Sequence, residues 1–557
     1  MSDKEGLGII LTGATTREAK CQLLENAEKG KIKEGILILV QSKEKGKNPI
    51  LARISQIKPH NAFYTEGDPW SEARRKGMDI PEGIARQYEI CNLELLIELP
   101  SGEITYPPRP GDTITRIDPK AHEEDIFGVT RDKQGYSWYG SLSGYEDAPV
   151  PLDIEKIPMH MAVFGTTGSG KSYDTGSLIE KFMEIKASEK YSVSFPMVII
   201  DANGDYSDYA NYFKNKDDDD DHFRPVGWVK RFVFPHVTRN NPNLSREEPI
   251  GIDLDILSTQ ELSETIIMYY KGGLEGSEMQ LHGIKTLFDT MKLEGANSIH
   301  NLFADPDKYE ELLETLEKLT KSKKIPFQSK PSIIRAFEKF MEIEEKYHLL
   351  STKSKLTDPL FIDEITTEGG IAILDFSEDG ATSVEIQTKQ LVMTYIASLL
   401  FTKFTKFKIE GGSRFLIFLV EEAQNFIPSQ SYPIGSSLAK NKLSLIATQG
   451  RKFGLSLCLI TQRPSFVDKI VLSMCNTFFI HRISPGDVSY VDSITGGLPS
   501  SIANRVTRLG QGELILTGQM NKVPFPLLLH IPGDRIVPHT AGTTNVIKTL
   551  VNLRRKY

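Results

Sequence analysis

The stretch Gly165-Thr166-Thr167-Gly168-Ser169-Gly170-Lys171-Ser172 decides the fold, because it fits the pattern GxxxxGK[ST] at every position. It follows an apolar strand candidate, Met161–Phe164, and precedes a helical segment at residues 173–186. In that context the glycines let backbone N–H groups surround phosphates, while Lys171 brings a cation to the β and γ oxygens and Ser172 can ligate Mg²⁺. The alternative is a glycine-rich turn that matches by chance. The strand and helix on either side favour a loop that binds ATP, and we expect ATP and Mg²⁺ as cofactors.

From Met159 onward, apolar strand candidates alternate with helical segments, which is typical of an α/β protein with a parallel sheet. A long interruption at residues 217–369 contains helical stretches, and it opens with five consecutive acids at Asp217–Asp221. We therefore predict a RecA-like P-loop ATPase core with a mainly helical insertion. The candidate strands are Met161–Phe164, Met197–Ile200, Ile371–Leu374, Phe415–Val420, Leu455–Thr461 and Thr477–Ile480.

The N-terminal region predicts a small β-barrel. Short apolar runs such as Ile36–Val40 and Leu93–Ile97 alternate there with Gly, Pro and Lys turns. The predicted domains are a barrel at residues 1–120, a linker with the first part of the ATPase core at 121–216, and the insertion at 217–369. The second part of the core follows at 370–535, and a C-terminal tail occupies 536–557.

The second motif is the apolar run Phe415–Val420, which ends in Glu421 and Glu422. A buried strand that ends in two acids is typical of a Walker B element. Glu421 would hold Mg²⁺ through water, and Glu422 would polarise the attacking water. Glu421 stands where an Asp is usual, so the metal contact can differ in detail. The alternative is a pair of solvent-facing acids at a helix start, but the long apolar run favours a buried strand.

Three further residues are candidates for catalysis. Gln462 follows the strand Leu455–Thr461, where its amide suits a sensor of the γ-phosphate. Arg451 precedes that strand, either as an arginine finger for a neighbouring subunit's nucleotide or as a solvated helix end. Asp201 ends the strand Met197–Ile200, where it is either an acid near the metal or a simple strand-to-loop turn. Spacing alone leaves both alternatives open.

The composition is that of a soluble globular protein, with 39% hydrophobic and 25% charged residues. A net charge of -8 argues against a wholly basic nucleic-acid coat, but it does not exclude a basic channel. The four cysteines form no CxxC pair, which disfavours a zinc site or a disulfide framework. The N-terminus lacks a signal-peptide pattern, and no apolar stretch approaches the ~20 residues that span a bilayer. We expect a cytoplasmic location and no membrane partner.

Four pieces of the sequence resemble the HerA family of hexameric DNA-translocating ATPases, which is related to the FtsK motors. They are GTTGSGKS at Gly165–Ser172, DANGDYS at Asp201–Ser207, LVEEAQNF at Leu419–Phe426, and GRKFG followed by TQRP at Gly450–Pro464. The barrel and the stretch Gln511–Gly518 are similar to that family as well. Two positions depart from it. Asn203 replaces a histidine, and Met159-His160 stands where an arginine often precedes the P-loop strand, so a cis-acting arginine is not identified.

The resemblance implies a homo-hexamer that pumps double-stranded DNA through a central pore with a nuclease (NurA-like) or defence effector as partner. It implies that Arg451 is a trans-acting finger, Gln462 a sensor and Asp201 an active-site acid. The C-terminal tail either braces a neighbouring subunit, as the resemblance implies, or is a solvated terminus. Candidate phosphate-binding cations lie in a segment that has no acid between Ser429 and Lys452, and they are Lys440, Lys442, Arg451 and Lys452.

Two other functions stay open. One is a ring ATPase of a conjugation or secretion system, which the lack of a membrane segment and the N-terminal barrel disfavour. The other is an ATP-dependent scaffold that activates a bound effector enzyme. Hydrolysis stimulated by double-stranded DNA would favour a translocase or helicase in DNA end processing or anti-phage defence over a scaffold.

Overall fold

The computed structural model describes residues 6–539, apart from 26, 28–31, 45, 65–66, 68–69, 79–86, 101, 189, 217–219, 242–243, 297, 352, 434–435, 532 and 534. Most of the predicted C-terminal tail and part of the acidic run therefore lie outside the described residues. The chain forms two compact units. The first contains mainly the chain up to Ile154 together with Phe478–Gly533, and the second contains mainly Glu155–Thr477.

Six antiparallel strands in the first unit close into a barrel, in the order β1-β2-β5-β4-β3-β6. Along β2 the buried side chains alternate with exposed ones, as expected when one face of each strand points into a barrel core. This confirms the predicted N-terminal barrel. The strands are β1 (Gly8–Ile10), β2 (Glu18–Leu23), β3 (Leu37–Gln41), β4 (Ile50–His60), β5 (Tyr88–Glu98) and β6 (Thr113–Arg116), with α1 (Ser71–Arg75) between β4 and β5.

Smaller elements complete this part of the first unit. They are α2 (Pro119–Phe127), β7 (Tyr136–Tyr139), β8 (Ser141–Leu142) and β9 (Val150–Asp153), with β7 and β9 forming an antiparallel pair. Asp118 caps the N-terminus of α2, because its side chain accepts hydrogen bonds from the N–H groups of Lys120 and Ala121, and Gly128 caps the C-terminus in a left-handed conformation.

The second unit is built on a parallel sheet of seven strands in the order β15-β14-β16-β13-β17-β18-β10. All residues of its central strands are buried, as expected for a sheet covered on both faces. This confirms the predicted α/β P-loop ATPase fold. The strands are β10 (Met161–Phe164), β13 (Met197–Asp201), β14 (Val229–Val233), β15 (Glu248–Pro249), β16 (Ile371–Asp375), β17 (Leu416–Val420) and β18 (Leu455–Thr461), while β11 (Ile185–Lys186) and β12 (Ser192–Val193) pair separately.

The stretch predicted as an insertion contributes to this sheet as well as forming helices. It contains β14 and β15, which the apolar pattern missed because Lys230 and Arg231 interrupt β14. No helix among the described residues is long and apolar enough to span a membrane. The helices of the second unit are α3 (Lys171–Met183), α4 (Ser207–Asn215), α5 (Pro235–Asn240), α6 (Thr259–Lys271), α7 (Glu278–Leu293), α8 (Ile299–Ala304), α9 (Pro306–Lys321), α10 (Lys330–Tyr347), α11 (Phe361–Glu368), α12 (Ile386–Ile409), α13 (Lys440–Gln449) and α14 (Lys469–Ser473).

The chain then adds β19 (Thr477–Ile480), α15 (Val488–Thr495), α16 (Ser500–Ala503), β20 (Glu513–Gly518) and β21 (Leu527–His530). The order β19-β20-β21-β8 places these strands beside β8 in the first unit. All six strands predicted for the alternating α/β region are present, and each predicted end lies within one residue of the observed end.

Candidate functional site

The loop Gly165–Ser172 connects the end of β10 to α3, which begins at Lys171. Gly168 and Gly170 have φ angles of 74° and 98°, a conformation that residues with a side chain rarely adopt. The Gly165 N–H donates to the carbonyl of Thr461 (3.3 Å), so the loop is held at the C-terminal end of β18. A helix N-terminus directly after a glycine-rich loop favours bound phosphate.

Lys171 and Glu421 meet at this edge of the sheet. The Lys171 Nζ lies 4.0 Å from the Glu421 Oε1, and both side chains are buried. The Glu421 Oε2 accepts hydrogen bonds from the N–H groups of Ala202 (3.0 Å) and Asn203 (3.3 Å). Burial and the nearby Asp201 raise the pKa of Glu421 well above its usual range, and Lys171 opposes that rise.

The residues at this position fit a magnesium nucleotide. The Glu421 Oε1 is buried and has no hydrogen-bond partner among the described residues, a costly condition that a hydrated cation would relieve. Ser172 is half-buried beside Lys171 and would supply a hydroxyl ligand. The assignments of Ser172 and Glu421 as metal ligands stay predictions that this geometry supports.

A chain of hydrogen bonds joins Glu422 to the phosphate-binding loop. The Glu422 Oε1 accepts from the Gln462 Nε2 (2.7 Å), and the Gln462 Oε1 accepts from the Thr167 hydroxyl (2.7 Å). The second carboxylate oxygen of Glu422 accepts from Gln424, whose own Oε1 accepts from the Thr461 hydroxyl (2.8 Å). The structure therefore brings the predicted water-activating acid, the predicted sensor and the loop together. Gln424 belongs to this chain of hydrogen bonds, although its position in the sequence did not indicate a function.

The carboxylate of Asp201 is hydrogen-bonded to backbone N–H groups of the loop that follows it. Its Oδ1 accepts from the N–H groups of Gly204 (2.7 Å) and Asp205 (3.0 Å), and its Oδ2 accepts from that of Tyr206 (2.9 Å). Burial and the neighbouring Asp375 raise its pKa to about 7. Asp201 thus shapes the loop at residues 202–206, and the first two N–H groups of that loop hold Glu421. This geometry favours the strand-to-loop alternative, in which the acid acts on the site through the loop.

Arg451 lies far from the phosphate-binding loop of its own chain. It is exposed in the turn before Leu455, where β18 begins, whereas the loop contacts Thr461 at the other end of this strand. A strand of this length spans about 20 Å at ~3.3 Å per residue. Arg451 is therefore too far from its own phosphate-binding loop to act on its own nucleotide, and its role as a finger for a neighbouring subunit stays a prediction.

His160 does not replace the missing cis arginine. It precedes β10, at the end opposite the loop, and its Nδ1 accepts from the N–H of Leu457 (2.9 Å). Its Nε2 donates to the carbonyl of Ala447 (3.0 Å), and burial lowers the pKa of the ring to about 4. His160 is therefore a neutral packing residue.

Two of the four candidate DNA-binding cations are neutralised by acids from distant segments. The Lys440 Nζ lies 2.8 Å from Asp468, and Lys442 forms an ion pair with Glu261. The acid-free stretch of sequence is therefore not an acid-free surface. Arg451 and Lys452 are both exposed.

Sequence reasoning also missed a group that fastens the segment Arg535–Val537 onto α3. The Arg535 guanidinium lies against Gly176, between the rings of Tyr173 (5.3 Å) and Tyr209 (5.4 Å). The buried carboxylate of Glu180 accepts from the N–H groups of residues 536 (3.1 Å) and 537 (3.0 Å). An acid inside a P-loop helix could have signalled a buried partner, but its identity required the fold.

Comparison with known proteins agrees with these features. The family model described as the central domain of helicase HerA matches residues 138–400. The DNA double-strand break repair helicase HerA of Sulfurisphaera tokodaii is 23% identical over 530 residues, which cover 93% of this chain and 91% of that protein. A probable helicase of Methanocaldococcus jannaschii is 26% identical over 435 residues, covering 75% and 70% of the two chains.

Among solved structures, VirB4 of Thermoanaerobacter pseudethanolicus aligns with a TM-score of 0.45 and 14% identity, over 72% of this chain and 98% of that one. The intact phosphate-binding loop, the paired acids that follow β17 and the match to the HerA central domain all lie in one ATPase fold. The chain is therefore similar to the HerA family of P-loop ATPases over most of its length, and it is an ATP-hydrolysing enzyme.

Proposed function

We propose that this protein is an ATP-driven double-stranded DNA translocase or helicase that works as a homo-hexamer in the cytoplasm. In this proposal a nuclease (NurA-like) or effector enzyme is its partner, in DNA end processing or anti-phage defence. The relatives named as DNA double-strand break repair helicases support DNA as the substrate, since one of them aligns with nearly the whole chain.

The position of Arg451 is the observation that supports assembly into a ring. A finger about 20 Å from its own phosphate-binding loop contributes to hydrolysis only when a neighbouring subunit presents its loop to it. Arg451 is exposed, as a residue that contacts a neighbour must be in the isolated chain. Assembly and hydrolysis are therefore coupled in this proposal.

Within each subunit the residues divide the chemistry. Lys171 binds the phosphate oxygens, and Mg²⁺ supplies charge neutralisation when it is bound beside Ser172 and Glu421. Glu422 takes the proton of the attacking water. Gln462 connects γ-phosphate binding to that step, because its side chain already bonds both Glu422 and the loop residue Thr167.

Mixed rings test the trans-acting finger. Arg451→Ala and Lys171→Ala subunits should each be inactive alone, since one lacks the finger and the other the phosphate cation. Mixed in equal amounts they should regain about one quarter of the wild-type rate, because about one interface in four combines an intact loop with an intact finger. ATP hydrolysis is measured on rings whose mass shows that both subunits are present.

The matched control is Lys452→Ala, which removes the neighbouring exposed cation and should retain hydrolysis measured without DNA and without mixing. Absence of recovery in properly assembled mixed rings would contradict action in trans. A rate that double-stranded DNA does not stimulate would contradict the translocase and favour the scaffold. DNA-stimulated hydrolysis should also weaken as salt rises, because phosphate contacts release counterions.

A further inference from the structure

A buried ion pair connects β14 to the edge of the sheet that carries the site. The Arg231 Nε donates to the Asp375 Oδ2 at 2.9 Å, and its Nη2 bonds the same oxygen. The two side chains are 8% and 0% exposed. A buried ion pair adds little net stability, because the cost of removing its charges from water offsets their attraction. Its position relative to the site is therefore informative.

Asp375 lies directly opposite Asp201, since β16 and β13 are parallel and both end at these residues. Like charges opposite each other on neighbouring strands are destabilising, and burial increases that effect. Among the described residues, three backbone N–H groups stabilise Asp201, whereas Asp375 has one such donor, that of Ser377 (2.8 Å), and depends on Arg231 for a cation in direct contact.

From Asp201 the contacts lead to the predicted metal-holding acid. Asp201 fixes the loop at residues 202–206, and the N–H groups of Ala202 and Asn203 in this loop hold the Oε2 of Glu421. The other oxygen of Glu421 faces Lys171 at 4.0 Å. A displacement of Asp201 would therefore move the two donors that orient Glu421.

We propose that Arg231 is a positioning residue for ATP hydrolysis, which acts through Asp375 and Asp201 on the loop that orients Glu421. This inference rests on the ATP-hydrolysing activity and on the predicted role of Glu421, and it does not depend on DNA translocation. The strand β14, in the stretch predicted to be an insertion, thereby supports the catalytic edge of the sheet. Arg231 touches no reacting atom in this proposal.

The first test is Arg231→Met, which keeps an elongated side chain but leaves Asp375 without its cation. We expect kcat for ATP without DNA to fall at least 10-fold, and the Mg²⁺ concentration for half-maximal rate to rise at least 5-fold. The affinity for ADP in EDTA should stay within 2-fold of wild type, because the phosphate-binding loop is unchanged.

The second test is Arg231→Met combined with Asp375→Asn, which removes the charge that Arg231 neutralises. We expect the pair to recover at least one third of the wild-type kcat and the wild-type Mg²⁺ dependence. If Arg231 only packed β14 onto the sheet, Asp375→Asn would not restore kcat, because this substitution returns none of the lost Arg231 side chain. If Arg231→Met does not fold, Arg231→Lys replaces it. This variant keeps a cation but loses the paired guanidinium contact, so kcat and Mg²⁺ dependence should change in the same direction by a smaller factor.

The matched control is Lys230→Met on the same strand. Lys230 pairs with Glu248 at the surface (3.4 Å), so its loss should leave kcat within 2-fold of wild type. Unchanged kcat and Mg²⁺ dependence in the Arg231 variant would overturn the proposal. A double variant that melts like the wild type but fails to recover would overturn it as well. Absence of hydrolysis in the wild type itself would instead refute the assigned activity.

Discussion

At the scale of single residues, Glu422 occupies an unusual backbone conformation. Its φ and ψ are both 48°, a left-handed geometry that costs a residue with a side chain about 1–3 kcal/mol. The amides of Gln462 and Gln424 bond its two carboxylate oxygens in this conformation. Glu421, one residue earlier, is fully buried. The alternative of two solvent-facing acids is therefore wrong, and the two acids have separate environments suited to separate tasks.

Glu422→Gln tests this division of tasks. The variant keeps the size and hydrogen-bonding capacity of the side chain but removes the base, so ATP should bind normally while hydrolysis slows about 100-fold or more. Single-turnover hydrolysis and nucleotide affinity measure the two effects separately. Glu410→Gln, at an exposed position, is the control and should hydrolyse ATP at the wild-type rate. A wild-type rate in Glu422→Gln would move the catalytic acid elsewhere.

The sequence indicated the residues whose role follows from their place in a motif, such as Lys171 and Gln462. It did not indicate Arg231, because a charged residue inside a strand resembles a solvated edge until its partner Asp375 is known. The bonding of Asp201 was equally hidden, since only the folded loop shows that backbone N–H groups occupy both carboxylate oxygens. Pairings between distant segments require the fold.

At the scale of elements, the parallel strands were predictable because burial on both faces leaves continuous apolar runs. The strand β14 was not predicted, because two of its five residues are cations and interrupt the apolar run. His160 makes contacts between elements that its position in the sequence does not reveal. Its imidazole joins the start of β10 to the carbonyl of Ala447 in α13 and to the N–H of Leu457 in β18.

This junction predicts a dependence of stability on pH. The folded pKa of His160, about 4, lies below the ordinary value of 6.5, so the unfolded chain binds the proton first as pH falls. The stabilisation is complete above pH 6.5 and is lost as pH falls towards 4, by up to about 3 kcal/mol. The melting temperature of wild type should therefore decrease more between pH 7 and pH 4.5 than that of His160→Gln, which stays neutral. Parallel profiles for the two proteins would contradict this role.

At the scale of the whole molecule, local charge in the sequence is a poor guide to surface charge. The segment from Ser429 to Lys452 contains only basic charges, yet folding supplies Asp468 to Lys440 and Glu261 to Lys442. The net charge of -8 likewise describes the sum and not its distribution. Ring assembly was implied by the resemblance alone, because in the proposed hexamer the finger and the loop that it serves belong to different copies of the chain.

The fastening of Arg535–Val537 onto α3 determines where a minimal ATPase can end. A chain truncated after residue 539 keeps this segment, whereas one truncated after residue 533 leaves the Glu180 carboxylate buried without Arg535 and its two backbone donors. Removal of the partners of a buried charge costs about 3 kcal/mol or more. The shorter chain should therefore melt several degrees lower than the longer one. Equal melting temperatures for the two truncations would show that these six residues do not contribute to the stability of the fold.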